Sequence, residues 1–495
     1  MSAVKANSLY DNMFLQLGIG LLTALLIVYM QFKLEPVLLL GVTFAPLVLI
    51  IAFRKPYITA ILFMGFSFFR IHEAYPVVKP LKLILFTSLL SLLVLAWHAF
   101  LARTIKPVWT RELTWLLVFF GLVTLAIPFS FDPDVALKYW QTVYVKIIIM
   151  VPAIAWLIRS ASDFNWTNRI IITGGVLIAL RAIYNKHYGI GLVEGTRVSI
   201  GRPVVESPFN LEDPFLPKNY LFSGNDAIAV LADPNDLALV LLFPLGFAAA
   251  FLVYRSGKLN LLFGLLGVPL ISMGIIATQS RGGLLGMLAA LGIIGLRLIK
   301  SKVALGLLGG IAFVGLFLAM GIGDRSSGGF AELSKTGGID ESSMGRIIAW
   351  QAALNMAFSH PLNGVGLNNF VEAFSTYTLS WPGMNKAVHS TWFGVLAETG
   401  LPGIIAFVTM LTLTIKTAVG DLFSIADSDA PNEVKAAALA QVAGLASFCT
   451  AGTFLTQGFT WPIYILIALT IAIHQYAATE LPGKGRDDLT CRAIA

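Results

Sequence analysis

Three residues of this chain carry ionisable groups at positions where such groups are costly to keep: Arg281, Arg346 and His389. Arg281, in the run Gln279 Ser280 Arg281 Gly282 Gly283, falls in a connection too short to leave a membrane surface. An arginine held at hydrocarbon depth costs about 2.5 to 3.5 kcal/mol on insertion scales, so its guanidinium must snorkel or face an anion. The planar fork suits phosphate oxygens, and the two glycines that follow let a backbone or a phosphate approach closely. A pair of arginines around a lipid pyrophosphate would hold a donor and neutralise the charge that develops on the leaving phosphate. His389 stands where a long polar loop turns back into apolar sequence. Its imidazole can take and return a proton near neutral pH, which suits a base that deprotonates an acceptor hydroxyl.

Each of these residues also has a plainer reading. Arginines snorkel routinely, a first-turn arginine on a surface helix is often only solvated, and an interfacial histidine can be structural. Asp233 and Asn235 can cap a helix. Arg181, Arg197 and Arg202 could add to a basic donor site, although most loop arginines do nothing specific. His360 precedes Pro361 and closes a helix, while His72, His98, His187 and His474 have no companion at metal-ligand spacing, so no metal site is expected. Glu398 lies nine residues past His389, which points it away from the histidine if the segment is helical, and no carboxylate pair is evident.

The elements that must position these groups follow from composition. A chain of 495 residues that is 57% hydrophobic and 12% charged, with a mean hydropathy of +0.80, has too few polar side chains to clothe a soluble core. Apolar runs of about 17 to 25 residues recur along it, and lipid-exposed backbone must be helical. The expected class is an all-α polytopic membrane protein with 12–14 spans, placed as fourteen at 14–30, 34–52, 57–69, 81–101, 113–130, 143–158, 169–184, 227–254, 259–279, 283–299, 302–322, 391–418, 437–456 and 459–476. The first run lacks a small-residue cleavage site after it and reads as a retained span. The net charge of +7 is distributed in short clusters between apolar runs, which argues for topology and against nucleic acid. Cys449 and Cys491 form no disulfide framework.

Arg54, Lys55, Arg103, Lys106, Arg111, Arg159, Arg169, Arg255, Lys258, Arg297, Lys300, Lys302 and Lys416 fall on one side with both termini, which makes that side cytoplasmic; Arg70, Lys79 and Lys82 fall on the other. The two long segments, 185–226 and 323–390, are then external. Within the second, Ile347, Ile348, Trp350, Leu354 and Phe358 predict an amphipathic interface helix ending near Ser359, followed by a turn-rich stretch through Gly364 and Gly366. The expected organisation is N-terminal spans and a first external segment over 1–225, spans carrying the arginine turn over 226–322, an external catalytic loop over 323–390, C-terminal spans over 391–480 and a tail over 481–495.

At these residues the chain resembles the O-antigen ligase and polymerase superfamily of bacterial envelope glycan assembly. His389 and Ser390, nine residues, then Gly400 and Leu401 match the family's signature, and Ser280 to Gly283 looks like its arginine turn. Gly345 and Arg346 with Trp350 look like the start of its loop helix, and Gly364 Val365 Gly366 with Asn369 Phe370 like its glycine-rich segment. Asp233 to Ala238 also resembles a family segment, so the likeness covers roughly 225 to 415. Fourteen spans exceed the twelve usual for ligases.

The resemblance implies a GT-C-like, nucleotide-sugar-independent glycosyltransferase of the bacterial inner membrane, with its active site facing the periplasm and no cofactor or metal. The donor would be an undecaprenyl-pyrophosphate-linked glycan and the acceptor a glycan, lipid or protein hydroxyl. His389, Arg281 and Arg346 would be catalytic, with Ser280, Gly282, Gly283, Asn235 and Asn369 joining the two arginines in substrate binding. A polymerase joining lipid-linked repeats shares the motif and differs in acceptor. A lipid-linked oligosaccharide flippase is the rival class; it should show a two-fold internal repeat and mid-membrane charges in both halves, and neither is found.

Overall fold

A computed structural model describes residues 36–69, 81–188, 234–278, 280–319, 341–379, 385–481 and 492–493. The expected span 14–30, Arg197, Arg202, Asp233 and most of the first external segment lie outside these residues, as do the glycines at 328–338 and most of the tail. The described chain is almost wholly helical: α1 (Pro36–Arg54), α2 (Tyr57–Phe68), α3 (Leu83–Leu101), α4 (Arg111–Phe129), α5 (Pro133–Leu157), α6 (Ala161–Tyr188), α7 (Pro234–Tyr254), α8 (Lys258–Thr278), α9 (Arg281–Leu298), α10 (Lys302–Ala319), α11 (Glu341–Ser359), α12 (Phe370–Tyr377), α13 (Thr391–Ala426), α14 (Asn432–Gly452) and α15 (Trp461–Glu480). A two-residue ladder pairs Val108–Trp109 with Arg492–Ala493.

Among the described residues ten helices are long and apolar enough to cross a membrane, or eleven if one bent pair counts as a span. That pair accounts for part of the difference from fourteen. Pro46–Arg54 and Tyr57–Phe68, expected as parts of two spans, meet at a bend of 117°. The helix expected over 302–322 is α10, Lys302–Ala319, which reaches the end of the described residues there.

Helices α7, α14 and α15 form the centre of the bundle, with most of their side chains buried. They are apolar or small-residue on every face, which is what a helix surrounded by other helices requires. α7 packs against α8, α9, α14 and α6, and α13 runs along α4 and α14. A second, smaller apolar cluster lies outside this core: Ala349, Ala352, Ala353 and Met356 of α11 meet Val365, Phe370, Phe374, Val388 and Ala397. α11 has two unlike faces. Its alanine-rich face packs inward, while Ile347, Leu354 and Phe358 stay exposed, as a helix lying on an interface would leave them.

At the opposite end of the bundle from the sequence motifs, two polar contacts are buried between helices. His474 Nδ1 of α15 lies 3.0 Å from both carboxylate oxygens of Asp421 on α13. Thr417, one turn before Asp421, donates to Glu112 Oε1 of α4 at 2.5 Å.

Candidate functional site

The motif residues gather around one short crossing, residues 453–460, which joins α14 to α15. Ser280 caps α9: its Oγ accepts from the Gly283 amide at 3.1 Å and donates to Asn235 Oδ1 at 2.7 Å, tying the start of α9 to the start of α7. Arg281 is the exposed first residue of α9. Behind it the two glycines let helices touch. A Cβ at Gly283 would lie 2.5 Å from the Cβ of Ala238, and one at Gly282 would lie 3.3 Å from the Cβ of Phe454.

Phe454 carries the next link. The guanidinium carbon of Arg346, half-buried near the start of α11, lies 6.0 Å from the centroid of its ring. One residue along the crossing, the Leu455 carbonyl accepts from Thr391 Oγ1 at 2.7 Å, and that hydroxyl accepts from the Gln457 amide at 3.1 Å. Thr391 opens α13, two residues after His389. Gln457 Nε2 donates to Asp236 Oδ1 at 2.5 Å, beside Asn235, and Gln457 Oε1 accepts from the Thr460 hydroxyl. The crossing therefore touches the starts of α7, α9 and α13 and the Arg346 side chain.

His389 is half-buried and held in place from both sides along the chain. Trp350 of α11 stacks on Phe393 with ring centroids 5.2 Å apart and donates its indole N–H to the Val388 carbonyl at 3.0 Å. Ser390, buried, caps α13 by accepting from the Phe393 amide at 3.5 Å. Between them His389 adopts φ +48°, in the left-handed region that histidine enters more readily than most non-glycine residues.

The glycine-rich segment and the signature's glycine meet each other. Gly400 interrupts α13 with φ +65° and ψ −166°, and a Cβ there would lie 2.5 Å from the Pro361 carbonyl oxygen. Gly364, at φ +62°, faces the backbone of Ala397 and Glu398 so closely that a Cβ would come within 2.4 Å. Val365 N donates to Ala397 O at 2.8 Å, and Leu401 N to Pro361 O at 2.8 Å. Glu398 belongs to this saddle: its buried carboxylate accepts from the Asn368 amide at 2.8 Å and the Phe370 amide at 3.3 Å, at the start of α12.

Asn369 sits at a different junction from the other motif residues. It is fully buried; its Oδ1 accepts from the Asp132 amide at 2.9 Å, and its Nδ2 donates to the carbonyls of Asp132 at 3.1 Å and Leu367 at 3.0 Å. This ties the loop before α12 to the turn between α4 and α5. Among the described residues no group of three His, Cys, Asp or Glu side chains is arranged to hold a metal ion. Phe454 and Gln457 were invisible to sequence reasoning, because a phenylalanine and a glutamine in a turn carry no motif and acquire meaning only from what packs on them.

The comparison with curated proteins gives no match. Residues 266–408 match the family model described as O-antigen ligase, and this domain match, which contains the arginine turn, Arg346 and His389, supports assigning the chain to the O-antigen ligase and polymerase superfamily.

Proposed function

We propose that this protein is an O-antigen-ligase-type glycosyltransferase that moves a glycan from undecaprenyl pyrophosphate to an acceptor hydroxyl at the periplasmic face of the bacterial inner membrane. The observation that carries the reading is the shared frame: one crossing braces the arginine turn, the Arg346 side chain and the helix that His389 precedes. In this reading Arg281 and Arg346 grip the diphosphate, with Ser280, Asn235, Gly282 and Gly283 shaping the turn that presents Arg281. Asn369 stands apart from these groups and holds the loop before α12 to the turn between α4 and α5. The fold reading is GT-C-like, and the loop over 323–390 is its catalytic domain.

The chemistry is a direct displacement. His389 removes the proton from the acceptor hydroxyl, the new C–O bond forms at the anomeric carbon, and the bond to the pyrophosphate oxygen breaks with its electron pair leaving on undecaprenyl pyrophosphate. The arginines stabilise that departing charge, which is greater in the transition state than in the bound donor. With no second nucleophile in the reading, the anomeric configuration inverts.

The test is incubation of the purified chain with lipid-linked repeats, first alone and then with a lipid or protein acceptor. Transfer that requires the added acceptor is the expected result. Chain lengthening from repeats alone would make the protein a polymerase, and movement of donor between leaflets without transfer would make it a flippase.

A further inference from the structure

We propose that Phe454 is a positioning residue for Arg346: its ring, seated against Gly282 and facing the guanidinium, sets the spacing between the two halves of the donor grip. The inference rests on the donor-binding reading above. Phe454 is half-buried just past the end of α14, with its amide donating to the Ala451 carbonyl at 2.9 Å. One side lies against the arginine turn, because a side chain beginning at Gly282 would meet Phe454 Cβ at 3.3 Å, tighter than ordinary contact. The other side meets Arg346 Cζ at 6.0 Å from the ring centroid, within reach of the attraction between a cation and the face of an aromatic ring.

This arrangement answers a problem that the topology poses. Arg281 belongs to the bundle, whereas Arg346 belongs to α11, whose own apolar cluster lies outside the main core. A long, flexible side chain on a separate element that is already ordered when the anion binds escapes part of the ordering cost, and the ring of Phe454 contributes to that order. Phe454 can act as a fixed platform because the residues after it are pinned: Leu455 and Gln457 by Thr391, and Gln457 also by Asp236. The role therefore concerns donor affinity, with acceptor handling at His389 left aside.

The experiment compares the full chain in nanodiscs with Phe454→Leu, Phe454→Tyr, Arg346→Ala and the Phe454→Leu/Arg346→Ala double variant, using an undecaprenyl-pyrophosphate-linked repeat as donor. Phe454→Leu should raise the donor KM by about 2- to 30-fold, the span of cation–π contacts from exposed to desolvated settings, with any fall in kcat traced to Arg346 and the acceptor KM nearly unchanged. Phe454→Tyr should restore the donor KM, and Phe454→Leu should add no penalty once Arg346 is alanine. Equal behaviour of Leu and Tyr, or simple addition of the two penalties, overturns the assignment. A second measurement needs no turnover: the rate at which phenylglyoxal modifies Arg346, followed by peptide mass spectrometry, should rise several-fold in Phe454→Leu and not in Phe454→Tyr. Unchanged modification rates in both overturn the positioning role even if the protein proves not to be a transferase. Should Phe454→Leu not fold, Gly282→Ala, whose new methyl would press on the root of the ring, replaces it in the modification assay with the same expected rise.

Discussion

At His389 the backbone and the side chain make separate demands. A left-handed φ of +48° disfavours most L-residues, and asparagine is among those that tolerate it. Alanine therefore removes the imidazole and strains the turn, whereas asparagine removes the base and keeps the conformation. His389→Asn is expected to lower the rate of transfer by about 10² to 10⁴, the usual contribution of a general base, while leaving donor binding intact. Full transfer by this variant removes the base assignment. The arginines make a different prediction. Arg281→Lys and Arg346→Lys keep the charge but lose the planar fork, and hydrogen bonds to charged groups are worth roughly 1.5 to 3 kcal/mol, so a loss of about 10- to 150-fold in donor affinity is expected from titration of the lipid-linked donor. Wild-type affinity in both lysine variants means that the guanidiniums do not grip a diphosphate.

Among the elements, α13 shows best what the sequence made legible and what it withheld. The run from His389 to Leu401 marks a boundary between loop and span, and the structure places a helix start at Thr391 and a break at Gly400. The spacing cannot reveal why a glycine must stand there, because the reason is the Pro361 carbonyl, some forty positions earlier in the chain. Gly400→Ala should cost roughly 1 to 2 kcal/mol for its left-handed backbone alone, and more for the clash, read as a lowered melting temperature in detergent. Gly121→Ala, in open space on α4, is the control and should melt like the wild type. The helix of the external loop was legible from its large apolar side chains, but the face it packs against the protein was not. Ala349, Ala352 and Ala353 make the inward contact, since small residues allow close packing, and the bulky Ile347 and Phe358 point away. The first 70 residues were least legible: two apolar runs separated by Arg54, Lys55 and Pro56 do not disclose that Pro46–Arg54 and Tyr57–Phe68 meet at 117°.

Across the whole molecule, polar groups sit at both ends of the bundle and have different purposes. At the end away from the motifs, His474 looked solitary in sequence; its partner, Asp421, is brought to it only by the packing of α13 on α15. Removing one member of a buried hydrogen-bonded pair takes a partner from the other, at a cost of about 1 to 3 kcal/mol. His474→Ala should therefore lower the melting temperature, and His474→Ala/Asp421→Ala should lower it by less than the two single changes combined; strict additivity would mean that the contact contributes nothing. At the motif end, the stretch from 453 to 460 has the length of an ordinary hairpin linker, and linkers ordinarily accept nicks and insertions. This one does not have that licence, since its main-chain groups complete bonds begun elsewhere. A gene divided at Gly257, where a side chain would meet nothing within 4 Å, is expected to yield two fragments that reassemble in the bilayer. Divided at Thr456, the same fragments could each insert and still fail to reconstitute one another, because the severed ends would be the parts that every neighbour was leaning on.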